Sequence, residues 1–335
     1  MLDILLIAIL AIIVGANDAA NVFGSAIGSK MLKFRVAIIF FIIFIIVGAV
    51  INAKYPSGVY KDLLINYPNL GDIFLIILPV IIITFIALGL RIPSSISQSI
   101  IFSILGFSIA KNISVNYDLL IDLISFWIAT PIAAVILSII FCYLINFIIA
   151  ILKLNVFQID YQVRLSLILL SCVAAFALGS NLTASIVGIY SPFLSLSIDF
   201  SGYQVLIGEK KLYFFGSLLI GLGALILSQK IVQSVGSQIS KIKPVSALSI
   251  LLTQIVILLS FSSDLLINQI NSLLPLDMFA MPLSASHITF ASIIGVASFN
   301  KFREVKPNHS LKILISWFTI PILVAFLSYL FALNF

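Results

Sequence analysis

Long apolar stretches follow one another along the chain, separated by short polar segments. They cover residues 4–29, 34–53, 73–90, 92–110, 119–152, 165–190, 212–229, 244–262, 279–299 and 311–334. A helix needs about 20 apolar residues to cross a bilayer. Strands of a β-barrel would alternate polar and apolar positions, and these stretches do not. The pattern therefore predicts an all-α protein that crosses the membrane several times.

Two of the stretches open with proline and are rich in serine. They are residues 92–110 (IPSSISQSIIFSILGFSIA) and 280–299 (AMPLSASHITFASIIGVASF). Non-helical backbone at membrane depth is tolerated only where it is buried in protein or lines a cavity. We therefore expect broken helices or re-entrant helical hairpins at these two places, and not helices that face lipid.

The chain also repeats itself in three blocks that keep their order, at offsets of 164, 189 and 190 positions. The matched residues are Gly15/Gly179, Asn17/Asn181, Ala20/Ala184, Gly24/Gly188, Pro93/Pro282, Ser95/Ser284, Ser97/Ser286, Ser103/Ser292, Gly106/Gly295, Trp127/Trp317 and Pro131/Pro321. Such agreement indicates a duplicated membrane protein. We predict a first repeat over residues 1–152, a linker over 153–164 and a second repeat over 165–335.

The positions of basic residues predict how the helices are oriented. Two groups lie in the segments after the first helix and before residue 244: Lys30, Lys33, Arg35 and Lys230, Lys241, Lys243. Cytoplasmic loops are enriched in Lys and Arg, so both groups are expected inside the cell. The two repeats then have inverted topology, and both termini lie outside the plasma membrane. The stretch at 119–152 is too long for one simple span, so the number of crossings stays open. Inverted repeats with broken helices are typical of secondary transporters.

Composition excludes several classes of protein. Of the 335 residues, 62% are hydrophobic and 9% are charged, and the mean hydropathy is +1.26. Soluble domains carry about 25% charged residues, so a water-soluble enzyme, a nucleic-acid binder and a disordered chain are excluded. The two His and two Cys have no metal-ligand spacing, and no paired carboxylates lie in the apolar stretches. The chain is therefore not expected to be an enzyme.

Asp18 is the acidic residue that lies deepest in an apolar stretch. A charged side chain at the bilayer centre costs at least about 2.5–3.5 kcal/mol on insertion scales, so it normally has a partner or a function. Its neighbours Gly15, Asn17 and Asn21 are poor residues for the interior of a membrane helix. We expect an unwound stretch here, whose carbonyl and side-chain oxygens hold a cation. The alternative is that Asp18 caps a helix inside the protein.

The two proline-serine segments predict an anion site. The pattern Pro-x-Ser-x-Ser places proline near a helix start, followed by hydroxyls and by backbone N–H groups without helical partners. A helix N-terminus carries partial positive charge, which suits an oxyanion. Two such starts that meet near the midplane are expected to surround a tetrahedral anion. The alternative is that the serines bond only to their own helices. Gln98 and His287 occupy the same position in the two segments.

The segment GANDAANVFGSAIGSK, at residues 15–30, closely resembles the signature of the PiT family of inorganic phosphate transporters. A second signature would lie at 179–192, and the family's Pro-x-Ser-Thr-Thr-His motif maps onto 93–98 and 282–287. The segment at 230–243 also resembles the second half of the family. The resemblance spans essentially the whole chain. It implies a homodimeric symporter that moves inorganic phosphate across the membrane together with Na+ or H+.

The resemblance also implies which residues bind phosphate and the coupling cation. Those expected at phosphate are Asn21, Ser95, Ser97, Gln98, Ser185, Ser284, Ser286 and His287. Those expected at the cation are Asn17, Asp18 and Asn181, with Na+ held by Asp18 and Asn17. Phosphate and the cation are cargo, so no resident cofactor is implied. Membrane lipid is the other expected partner, and nucleic acid is not.

The second signature departs from the family pattern. Leu182 stands where the family repeats the aspartate, Ser185 replaces the second asparagine, and Gln98 replaces the histidine of the first hairpin. The loss of one of two carboxylates is expected to weaken or remove one cation site. Sulfate or another oxyanion is the alternative substrate. Phosphate has a proton that Asp18 can accept and sulfate has none at neutral pH, which favours phosphate. An ion channel or a non-transporting receptor is less favoured.

Overall fold

The computed structural model describes residues 2–28, 31–64, 68–90, 92–153, 155–190, 193, 197–200, 203–206, 208–238, 243–273, 278–300 and 307–335. Over these ranges the chain forms twelve α-helices, one 3₁₀ turn (Leu70–Asp72) and two short strands. The helices of the first half are α1 (Leu2–Gly28), α2 (Phe34–Asn52), α3 (Lys54–Asp62), α4 (Ile73–Gly89), α5 (Ile96–Lys111) and α6 (Tyr117–Leu152). Those of the second half are α7 (Val156–Gly188), α8 (Glu209–Gln238), α9 (Pro244–Ser262), α10 (Asp264–Leu273), α11 (Ala285–Phe299) and α12 (Pro307–Asn334).

Eight candidate membrane spans occur within these ranges, which confirms the all-α, multi-pass fold class. The longest helix, α6, has 36 residues and is continuous through Pro131. At 1.5 Å per residue it is about 54 Å long, so the stretch at 119–152 is one long helix. Its outer face exposes Ile128, Ile132 and Ile136, as expected for a surface in contact with hydrocarbon.

The interrupted backbone lies at the two proline-serine segments, as the sequence predicts. Helices α5 and α11 contain 16 and 15 residues, which corresponds to about 22–24 Å and is shorter than the roughly 30 Å hydrocarbon core. Ser95 and Ser284 are their N-cap residues, both with extended backbone. Non-helical backbone precedes each of them, at residues 92–95 and 278–284. Each start is buried inside the protein, which is where such backbone is tolerated.

The expected unwound stretch around Asp18 is wrong, because α1 is one continuous helix through Gly15, Asn17 and Asn21. The two asparagine side chains donate hydrogen bonds to the Asp18 carboxylate. These buried polar groups therefore have partners while the helix stays intact. Gly15 serves packing instead: a Cβ there would collide with the backbone carbonyl of Ile220 in α8. Asp18 also lies in mid-helix, so it does not cap α1.

Helices of one half pack against helices of the other. Helix α1 packs on α8 and α7 packs on α2, while α5 packs on α12 and α11 packs on α6. Glycines permit the close approach on both sides, as Gly106 does against Ala325 and Gly295 against Val135. By the repeat, α1 corresponds to α7, α2 to α8, α5 to α11 and α6 to α12. Each of these contacts in one half therefore has an equivalent contact in the other. The inverted orientation and the bounds 1–152 and 165–335 stay predictions, and residues 156–164 of the predicted linker are helical.

Two features of the chain lie apart from this helical bundle. The strands β1 (Ser197–Phe200) and β2 (Tyr203–Leu206) form an antiparallel hairpin that the apolar pattern did not predict. Lys30 and Lys241, used to predict the orientation, lie outside the described residues, as does the side chain of Lys230. The orientation of the helices and of both termini therefore stays a prediction.

Candidate functional site

The Asp18 carboxylate lies in the middle of α1 and is 2% exposed. Its Oδ2 accepts a hydrogen bond from Asn17 Nδ2 at 3.3 Å, and its Oδ1 accepts one from Asn21 Nδ2. The hydroxyl of Ser286, at the start of α11, donates to Oδ1 at 3.5 Å. The carboxylate therefore links the first signature to the second hairpin, and all three donors are neutral groups.

The backbone carbonyl of Ser94, just before α5, joins the same cluster. It accepts from Asn17 Nδ2 at 3.2 Å and lies 3.1 Å from Ser286 Oγ, whose single hydroxyl proton is shared between this carbonyl and the carboxylate. Asn21 Nδ2 also donates to Ser286 Oγ, at 3.2 Å. Helix α1 thus holds the starts of both short helices around one carboxylate.

The Leu283 carbonyl, just before α11, has an equivalent set of contacts. It accepts from Asn181 Nδ2 at 2.8 Å and from Ser97 Oγ at 3.1 Å. The repeat matches these donors with those on Ser94, because Asn181 corresponds to Asn17 and Ser97 to Ser286. Asn181 additionally accepts a bond from the Leu283 N–H, at 2.8 Å to its Oδ1. The two halves differ at the carboxylate, since Leu182 is buried where the first half has Asp18.

Three other predicted phosphate residues lie close by but bond within their own segments. Ser95 Oγ lies 3.5 Å from Ser97 Oγ. Ser284 Oγ accepts from the backbone N–H of His287 at 3.3 Å, which caps α11. Ser185 Oγ donates to the Asn181 carbonyl one turn earlier in α7, at 3.0 Å. Ser185 thus bonds to the backbone of its own helix, although it lies outside the two proline-serine segments.

Gln98 and His287 face a different part of the molecule. Both line a cavity of about 340 Å³ between α6 and α12, which is also lined by Trp127 and Trp317. His287 stacks on Trp317 with 3.8 Å between ring centroids. The structure therefore does not bring all the predicted phosphate residues together: Asn21 and Ser286 bond to Asp18, whereas Gln98 and His287 line this cavity.

Three groups that make hydrogen bonds at the site were not predicted from the sequence. The Ser94 and Leu283 carbonyls act through the backbone, so no residue type marks them. Trp127 Nε1 donates to the Pro282 carbonyl at 3.3 Å and so connects α6 to the second hairpin. The repeat could have indicated this role, since Trp127 and Pro282 both belong to matched blocks.

No described basic side chain neutralises the Asp18 charge. Among the described residues an ion pair is formed by Arg164 and Asp160 at the exposed start of α7, at 3.3 Å. The same residues contain no group of three His, Cys, Asp or Glu side chains that could hold a metal ion. The amide nitrogens of Asn17 and Asn21 and the Ser286 hydroxyl surround the carboxylate, and the Ser94 carbonyl lies beside them. The oxygens of this cluster belong to the carboxylate, the hydroxyl and the carbonyl. Such ligands suit a hard cation such as Na+ better than a transition metal.

These features, a helical membrane fold and a buried carboxylate where two interrupted helices meet, are those of a membrane transporter. A model of the phosphate transporter family matches residues 14–328. The chain therefore belongs to the phosphate transporter family and is a transporter, not an enzyme. This finding confirms the family resemblance drawn from the signature.

Two individual proteins are similar over almost the whole chain. A protein named as a probable low-affinity inorganic phosphate transporter of Bacillus subtilis (strain 168) is 27% identical over 341 residues, covering 96% of this chain and 95% of the relative. A solved structure of "the sodium-dependent phosphate transporter" superposes with a TM-score of 0.71 at 18% identity, covering 98% of this chain and 96% of the other. At that identity the second similarity supports the fold alone.

Proposed function

We propose that the chain is a symporter that couples movement of inorganic phosphate across the membrane to a cation, with Na+ as the first candidate and H+ as the second. The observation that carries this proposal is the buried Asp18 carboxylate, which lies where the first residues of α5 and α11 (the two hairpin starts) meet. Family membership supports phosphate as the substrate. The name of the structural relative supports sodium.

The surroundings of Asp18 support a cation site. Taking a charge out of water is costly unless the charge is paired, and the partners of this carboxylate are the neutral donors of Asn17, Asn21 and Ser286. A bound cation would supply the missing positive charge. Oxygens for it are available from the carboxylate, the Ser94 carbonyl and the Ser286 hydroxyl. Asn181 belongs to the equivalent position of the other half, where Leu182 offers no charge.

The two helix starts support an anion site next to the cation. Each supplies backbone N–H groups and partial positive charge, together with the hydroxyls of Ser95 and Ser97 or of Ser284 and Ser286. In the present arrangement Ser97 bonds to the Leu283 carbonyl and Ser286 to the Ser94 carbonyl. Phosphate would replace these bonds when the two starts separate.

Coupling follows from the proximity of the two charges. A cation at Asp18 lowers the electrostatic cost of bringing phosphate to the same place, and phosphate does the same for the cation. By thermodynamic linkage each ligand raises the affinity for the other by the same factor. Transport then requires both, because either charge alone is poorly stabilised inside the membrane.

The test is uptake of radiolabelled phosphate into proteoliposomes of the purified protein. Three conditions are compared, namely a sodium gradient, a proton gradient and no gradient, with unlabelled sulfate or arsenate as competitors. We expect sodium-driven uptake that arsenate inhibits and sulfate does not. Uptake driven by the proton gradient alone would assign H+ as the coupling ion. Inhibition by sulfate, or no phosphate uptake at all, would contradict the phosphate proposal.

The carboxylate is tested in the same assay with Asp18→Asn. Loss of the charge should abolish the response to the cation gradient while the protein still folds, because Asn retains the size and hydrogen-bonding ability of Asp. The matched control is Asp122→Asn, which removes an equal charge from an exposed position on α6. A response to sodium that is the same in both variants would remove Asp18 from the cation site.

The remaining expectations are proposals about assembly and location. We propose a homodimer in the plasma membrane with both termini outside, on the basis of the family resemblance and the basic segments. A cysteine placed at each terminus and labelled in intact cells tests on which side of the membrane that terminus lies. Mass measurement in nanodiscs tests the dimer.

A further inference from the structure

The cavity between α6 and α12 has a composition unlike that of the carboxylate cluster. Its volume is about 340 Å³, within the range of small-molecule sites, which begins at roughly 300 Å³. Three pairs of equivalent residues of the two repeats line it, namely Gln98 and His287, Trp127 and Trp317, and Pro131 and Pro321. None of the residues that hydrogen-bond to Asp18 lines it. It is therefore a separate site.

The floor of the cavity carries buried polar atoms without hydrogen-bond partners in the described part of the chain. They are Gln98 Oε1, both ring nitrogens of His287 and Trp317 Nε1. Gln98 is 6% exposed and His287 is 4% exposed. A carbonyl oxygen accepts, an indole N–H donates, and a histidine ring offers at least one donor. Leaving such groups unsatisfied in an apolar setting is costly, so a ligand that both donates and accepts would be favoured here.

The mouth of the cavity is apolar and faces the side of the bundle that contacts hydrocarbon. Ile128 and Ile132 of α6 and Phe318 and Ile322 of α12 line it and are 58–70% exposed. Both helices are candidate membrane spans. A ligand therefore reaches the cavity from the bilayer and must be soluble in hydrocarbon, which excludes phosphate and other ions from this entrance.

We propose that this cavity binds an uncharged single-chain amphiphile, such as a long-chain alcohol or a protonated fatty acid. The hydroxyl or carboxyl head bonds to His287, Gln98 and Trp317, and the chain lies between α6 and α12. Helices α5 and α11, which carry the hairpin starts, pack directly on α12 and α6. Gln98 belongs to α5 and His287 to α11, so a molecule bound in the cavity contacts the two helices whose first residues form the proposed transport site.

The two tryptophans make the test direct, because they are the only ones in the chain and both line the cavity. The purified full-length protein in phosphatidylcholine nanodiscs is titrated with a long-chain alcohol that is brominated along its chain, and bromine quenches tryptophan fluorescence on contact. We expect saturable quenching that the unbrominated alcohol reverses. A brominated alkane of equal length should bind at least tenfold more weakly, since it offers no hydrogen bond.

Two sets of variants separate this site from ordinary lipid contact. Ile132→Phe fills the mouth and should weaken alcohol binding at least tenfold, whereas Ile136→Phe, one turn away and outside the cavity, should not. The double variant Gln98→Leu, His287→Phe keeps a ring stacked on Trp317 but removes three of the four unpartnered polar atoms and leaves Trp317 Nε1. Most of the preference for the alcohol over the alkane should then be lost.

Three outcomes would overturn the proposal. They are quenching that does not saturate, equal effects of the Ile132 and Ile136 variants, and quenching by brominated phosphatidylcholine that the free alcohol does not reverse. The last result would mean that bilayer phospholipid covers this face. Binding is measured without transport, so the result is independent of the proposed symport. Elution of each variant as a folded protein on size exclusion is confirmed first.

Discussion

Asn181 joins α7 to the segment before α11, and its removal should destabilise the protein. In Asn181→Ala two hydrogen bonds to Leu283 disappear, both of 2.8 Å. The Leu283 carbonyl keeps its bond from Ser97 at 3.1 Å, but its buried N–H is left without a partner among the described residues. A hydrogen bond contributes about 0.5–1.5 kcal/mol net, and an unsatisfied buried donor costs about 1–3 kcal/mol. We therefore expect the free energy of unfolding to fall by roughly 2–4 kcal/mol.

Equilibrium unfolding in mixed micelles of detergent and dodecyl sulfate, followed by tryptophan fluorescence, measures this difference. The control is Ser108→Ala, which deletes a buried hydroxyl that bonds only to the Ile104 carbonyl of its own helix, at 2.7 Å. That carbonyl remains within the helical ladder, so a much smaller loss is expected. Equal stability of the two variants would refute the role of Asn181 in holding the hairpin.

The same variant also distinguishes two roles for Asn181. The family resemblance implies that it binds the cation, whereas both polar atoms of its side chain are bonded to the backbone of Leu283. If the structural role dominates, stability falls and the apparent affinity for phosphate changes together with it. If Asn181 is a cation ligand, the sodium dependence of uptake shifts at unchanged stability.

Three further substitutions test the packing and the site. Gly295→Val places side-chain atoms against the backbone of α6 and should lower the free energy of unfolding by about 1–3 kcal/mol. The control is Gly58→Ala, where a Cβ meets nothing within 4 Å, and no loss of stability is expected there. Equal melting temperatures of the two variants would contradict the packing role of Gly295. Trp127→Phe loses the 3.3 Å bond to the Pro282 carbonyl and should cost about 1 kcal/mol in the same unfolding assay. Ser286→Ala should raise the KM for phosphate about tenfold, and an unchanged KM would argue against hairpin coordination.

Much of the candidate site could be located from the sequence because its signals are local. Asp18, Asn17 and Asn21 lie within one turn of a single helix, so their mutual contacts follow from helical spacing. The Pro-x-Ser pattern also predicted a helix start in each segment, and the structure places the N-cap residues there at Ser95 and Ser284. The unwound stretch was a wrong prediction because poor helix formers were judged without the partners that stabilise them.

Other parts of the site depend on long-range contacts that no local pattern contains. Gln98 follows Ser97 by one residue, yet one step along a helix turns the side chain by about 100°, so one faces the cavity and the other the Leu283 carbonyl. The bonds to the Ser94 carbonyl come from residues 77 and 192 positions away in the chain. Which of the predicted residues would share one site was therefore undetermined.

The sequence by itself determined the membrane environment, the helical class, the family and the two matched halves. These properties follow from apolar stretches long enough to cross a bilayer and from motifs that recur in order. Only the tertiary structure decided that α1 stays continuous, that the hairpin starts bond to each other across the repeats, and that Gln98 and His287 line a separate cavity. The physical reason is that a helix's own hydrogen bonds are local, whereas the partners of a buried polar side chain are set by which helices pack together.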